Sequence, residues 1–205
     1  MKKNSGRGFI IASVIVAVLA FAASCYGYGL FEEEVKAPFR FNNIFFCVGI
    51  IIYIALVLVC YLMKKSTMVV LIPTLILFVT TSLTLGFVGS ALSNGGESQD
   101  KSVLSILVTG FLVVSLVFAF KGKKWAAITA IVLLALNIYG NYAIVSGVAG
   151  LRTALPSTSE TLNDTYLGLE HMIFSNIATY ASLIVYFVGS LVKKVEAKET
   201  EEVSE

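Results

Sequence analysis

The chain has 205 residues, 57% of them hydrophobic and 14% charged, with a mean hydropathy of +0.87 and a formal net charge of +2. Soluble domains carry about 25% charged residues, so a water-soluble globule is excluded. The basic residues stand in short clusters beside apolar runs rather than in one patch, so they read as topology determinants, and the expected partner is the lipid bilayer and not nucleic acid.

A hydrocarbon core of about 30 Å takes about 20 apolar residues of helix per crossing. Six segments offer that length: 9–28, 44–63, 68–92, 103–120, 125–149 and 173–192. They lack the ten-residue alternation of a membrane barrel strand, and lipid gives the backbone no partner outside a helix. The expected fold is an all-α polytopic transmembrane bundle: one domain over 1–192, then a disordered, acidic cytoplasmic tail over 193–205. Lysine and arginine set the orientation. The N-terminus, "MKKS", "KGKK" and the tail hold eleven of the fifteen basic residues, so both termini are expected to be cytoplasmic.

The first segment, behind a basic start and ending in "AASC", has the layout of a signal peptide. It is read as an uncleaved helix, with cleavage before Cys25 as the other reading. In the second, Cys47 joins Cys25 near the outer surface and Cys60 lies deeper. No CxxC spacing marks a paired redox site, so the cysteines are expected to be unpaired, although a Cys25–Cys47 disulfide is geometrically conceivable.

The third segment contains Pro73, expected to kink its inner part. It then sets Thr80, Thr81, Ser82 and Thr84 at mid-depth, with Gly86 and Ser90 spaced for helix packing. The fourth is apolar and says little. The fifth carries "NIYGNYAIVSGVAG": Asn137 and Asn141 share a face, Gly140, Ala143 and Gly147 form a strip of small residues, and Tyr139, Tyr142 and Ser146 fill a third sector. No broad lipid-facing stripe remains, so protein or a water-filled cavity should surround that half of the helix. The sixth presents Asn176, Thr179, Tyr180 and Ser182. Spans three, five and six are thus expected to share a polar layer, either as interhelical hydrogen bonds or as a pocket for a small uncharged solute.

Chemistry-bearing constellations are missing from the sequence. One histidine, His171, and scattered carboxylates do not make a metal-ligand cluster, and no cofactor is expected. "GVAG" at 147–150 resembles the GxSG box of rhomboid proteases but has Ala149 at the nucleophile's place. No acidic or basic side chain lies inside the six spans, which disfavours a proton relay or voltage sensor. The expected role is a non-catalytic accessory or interaction subunit in a membrane complex, with other membrane subunits as partners. A small-solute transporter or binding component is the alternative, its solute unspecified, and a membrane enzyme at the outer face near His171 is a distant third. Compact loops and termini suggest a prokaryotic plasma membrane.

Overall fold

The computed structural model describes residues 5–63, 67–92, 99–154 and 160–202, with side chains described except at 5–6, 38, 63, 67, 84–92, 99–109 and 193–202. Six α-helices follow one another: α1 Ser5–Gly29, α2 Glu33–Met63, α3 Leu71–Leu92, α4 Gln99–Phe120, α5 Lys124–Thr153 and α6 Glu160–Glu202. A 3-10 turn, Thr67–Val70, leads into α3, and no strand occurs among the described residues. Among the described residues four stretches are long and apolar enough to cross a membrane: Arg7–Gly29, Phe39–Leu62, Lys124–Thr153 and Glu160–Val192. Met68–Leu83 and Gly110–Phe120 are shorter apolar helices.

Several features differ from the sequence reading, among them α2, which starts at Glu33 rather than at 44. Pro73 is the third residue of α3, in the first turn, where its missing N–H is one of the groups that lack an intrahelical partner. It marks the change from 3-10 to α geometry and does not interrupt an established helix. The sixth helix starts at Glu160, well ahead of the expected 173, so Glu170 and His171 belong to it. At its other end it continues through Glu202, so the tail expected to be disordered is helical to that residue. Its 43 residues span about 65 Å at 1.5 Å per residue, about twice the hydrocarbon thickness.

Alpha6 is the central element, packed most extensively against α1 and next against α5. Helix α1 presents Ser13, Ala17, Ala20, Ser24 and Gly27 as its buried face, followed by Phe31 just beyond its end. These positions alternate by four and three residues, the spacing of a helix seam, and their small side chains let two backbones approach closely. A Cβ at Gly27 would lie 2.7 Å from the Gly168 carbonyl oxygen and 3.1 Å from the Met172 nitrogen. At the far end, a Cβ at Gly189 would lie 2.6 Å from Cβ of Phe9. Contacts of Phe9 with Gly189 and of Gly27 with Gly168 make α1 and α6 antiparallel.

One end of the bundle, the acidic end, holds the α1–α2 connection and the start of α6, with Phe31, Phe39, Val145, Val148, Leu169, Met172 and Ile173 as its core. The other, the basic end, holds "KGKK" between α4 and α5. There Gly122 adopts φ 82°, and its N–H bonds the Ala119 carbonyl at 2.9 Å while the Lys123 N–H bonds Phe118 at 3.0 Å. This is a Schellman ending, which needs a left-handed residue after the helix and so favours glycine. It reverses the chain within three residues and sets α5 beside α4.

Candidate functional site

Polar side chains inside the bundle form separate knots. At the first, α1, α2 and α6 meet: Ser13 Oγ donates to the Ser182 carbonyl at 3.0 Å, and Ser182 Oγ donates to the Ser13 carbonyl at 2.9 Å. With both serine protons so placed, the Tyr53 hydroxyl donates to Ser13 Oγ at 3.1 Å. All three residues are 1% exposed or less, so the knot satisfies groups that find no partner in hydrocarbon. Sequence reading took none of these residues as a contact, except Ser182 as part of a general layer. The signal was the four-three spacing of small residues that begins at Ser13.

The second knot joins α3 to α6. Thr81 Oγ1 donates to the Phe78 carbonyl at 2.9 Å, leaving the Tyr180 hydroxyl to donate to Thr81 Oγ1 at 2.8 Å. Asn176 Nδ2 donates to the Thr81 carbonyl at 3.3 Å. Thr80 bonds the Ile76 and Leu77 carbonyls of its own helix, and Thr179 bonds Ser175 of its own. Thr84, Gly86 and Ser90 fall outside the described side chains.

Helix α5 takes no part in this knot through the described hydrogen bonds. Asn137 Nδ2 donates to the Leu133 carbonyl at 2.9 Å, and Asn141 Nδ2 to the Asn137 carbonyl at 2.7 Å. Both donors thus bond the preceding turn of their own helix, a local pairing that competes with bonds to other elements. Asn141 is 1% exposed and its Oδ1 has no partner among the described residues. Depth does not explain the separation: Arg152 pairs with Glu170, and counting from that pair puts Asn141 about 16 Å and Tyr180 about 15 Å down their helices.

A cavity of about 520 Å³ lies between α2 and α3. Its lining, from Phe41 and Phe45 to Leu75, Ile76, Val79 and Leu83, is apolar, with Asn42 and Thr80 the polar members. Thr80 is the residue it shares with the expected polar layer. His171, at the acidic end, has Nδ1 2.8 Å from the Leu167 carbonyl, and its ring lies edge-on to Tyr26 at 4.7 Å. Both contacts hold the imidazole in place within α6 and against α1. Among the described residues no group of three or more metal-ligating side chains is assembled.

The surface of α5 changes character along its length. Toward the basic end its exposed face is aliphatic, with Ile128, Val132 and Leu136 more than half exposed. Beyond the midpoint that face becomes Tyr139, Gly140, Tyr142, Ala143, Ser146, Gly147 and Gly150. Tyr139 is 74% exposed and Tyr142 60%, and neither hydroxyl has a hydrogen-bond partner among the described residues. A Cβ added to Gly140, Gly147 or Gly150 would meet nothing within 4 Å. Among the described residues, nothing packs against the small strip expected to pack at Gly140 and Gly147, and Tyr142 is exposed. Comparison of the chain with family models, curated proteins and solved structures finds no match.

Proposed function

We propose that the chain is a non-catalytic interaction subunit of a membrane complex, and that the Tyr139–Gly150 half of α5 receives a transmembrane helix of another subunit. The observation that supports this reading is a polar, glycine-rich helix face at mid-span that the described residues leave uncovered. Tyr139 sits at the midpoint of Lys124–Thr153, about 15 Å from either edge of a hydrocarbon core. A bare hydroxyl at that depth costs several kcal/mol. Each helical glycine costs about 1 kcal/mol relative to alanine, and at Gly27, Gly168 and Gly189 close helix contact offsets that cost. On α5 the corresponding contact comes from a partner whose backbone approaches closely and whose polar groups meet the two phenols.

The proposal takes all six helices as spans, with the basic end and both termini cytoplasmic, in a prokaryotic plasma membrane. The lysine clusters support this orientation. Retention of α1 as a membrane helix follows as well, because its cleavage would uncover the face of α6 that the serine knot and Gly168 occupy. A solute-binding role is less well supported, since the Asn137 and Asn141 amides bond their own helix and the cavity is lined mainly by apolar side chains.

A photoreactive phenylalanine analogue at Tyr139 tests the reading in intact membranes. Irradiation is expected to attach the chain to another membrane protein, whereas the same analogue at Val132, on the aliphatic part of the face, is expected to capture lipid. Lipid adducts alone from both positions would sink the proposal.

A further inference from the structure

We propose that Cys25 and Cys47 form a redox-modifiable dithiol at the acidic end of the bundle, which a disulfide-bearing donor converts to a crosslink between α1 and α2. Their sulfurs are 3.9 Å apart, on two different helices. Ser24 Oγ donates to Asn43 Oδ1 at 2.8 Å, so the residue beside Cys25 is tied to the residue one turn before Cys47. That buried bond fixes the approach of the two backbones next to the thiols. Bringing the sulfurs to bonding distance, about 2 Å, therefore needs side-chain rotation rather than movement of a helix.

The two thiols have different access. Cys25 is exposed, Cys47 is half-buried beneath it, and Cys60 is buried elsewhere on α2. Access assigns the order of steps. The Cys25 thiolate attacks one sulfur of the donor disulfide, forming a mixed disulfide and releasing the first donor thiolate. The Cys47 thiolate then attacks the Cys25 sulfur and releases the second. The two thiol protons pass to the released donor thiolates. The chain loses two electrons and two protons, and the donor disulfide becomes two thiols. On the orientation proposed above, the dithiol faces the oxidising side of the membrane, where such donors occur; the exchange itself does not depend on that orientation.

The test uses the full chain in mild detergent with Cys60→Ala, treated with dithiodipyridine, an apolar aromatic disulfide. The expected result is release of two thiopyridones per chain, no retained pyridyl group, and a single linked peptide pair containing Cys25 and Cys47. In Cys47→Ser with Cys60→Ala, Cys25 should keep one pyridyl group, because nothing resolves the mixed disulfide. A pyridyl group retained at Cys25 while Cys47 is present would overturn the proposal. So would failure of Cys25 to react, or a Cys25–Cys25 link between two chains.

Discussion

Gly27→Leu is expected to destabilise the chain by about 3 kcal/mol, the upper range for overpacking a tight contact, seen as a lower thermal unfolding midpoint in detergent. The obstacle is backbone: the Gly168 carbonyl oxygen and the Met172 nitrogen lie 2.7 and 3.1 Å from where a Cβ would stand. Neither can turn aside as a side chain would, so the helices must separate. Separation lengthens the reciprocal Ser13–Ser182 bonds further along the same seam, each contributing about 0.6 to 2 kcal/mol in lipid. Better helix propensity returns about 1 kcal/mol on leaving glycine, too little to offset these losses. Gly147→Ala is the control, since it gains the same propensity and meets no atom within 4 Å. It is expected to leave the midpoint unchanged or raise it.

Arg152→Met is expected to cost about 3 to 5 kcal/mol, because it strands the Glu170 carboxylate between α5 and α6. Arg152 Nε lies 2.6 Å from Glu170 Oε1, and a second guanidinium nitrogen lies 3.4 Å from Oε2. The glutamate side chain is 9% exposed and the arginine 29%. Two-point contact with a buried carboxylate distinguishes this pair from Lys36–Glu33, whose carboxylate is 75% exposed and whose contribution falls under about 1 kcal/mol. Adding Glu170→Gln to Arg152→Met removes the stranded charge and is expected to recover most of the loss. If the single and double variants unfold at the same midpoint, the pair does not anchor α5 to α6.

The helices were legible because length and hydropathy mark an apolar helix whatever surrounds it, and four of those among the described residues are long and apolar enough to cross a membrane. "KGKK" was read as a basic connection between two helices, and the structure adds that its Gly122 supplies the left-handed residue of a Schellman ending. Rotation about the helix axes was much less legible. Asn137 and Asn176 both stand in apolar runs, but which neighbour each faces depends on how its helix packs, and the Asn137 and Asn141 amide nitrogens donate within their own helix. Arg152 and Glu170 read as loop charges, because an apolar-run criterion stops short of a helix whose polar end is held by an ion pair. Ser13 was passed over for a similar reason: a serine in a greasy run is visible, whereas its reciprocal partner 169 residues away is not. The strip on α5 was recognised as unsuited to lipid, and the structure adds that the described residues do not cover it.

The most direct test of that last point is the native mass of the chain extracted gently from its own membranes, compared between the wild type and Gly147→Leu. The wild-type chain is expected to leave the membrane in a larger assembly. Gly147→Leu is expected to leave it as a single intact chain with an unchanged unfolding midpoint, because an added Cβ there meets nothing within 4 Å among the described residues. A wild-type chain that emerges alone, or a Gly147→Leu chain that stays in the same assembly at the same yield, would contradict the account.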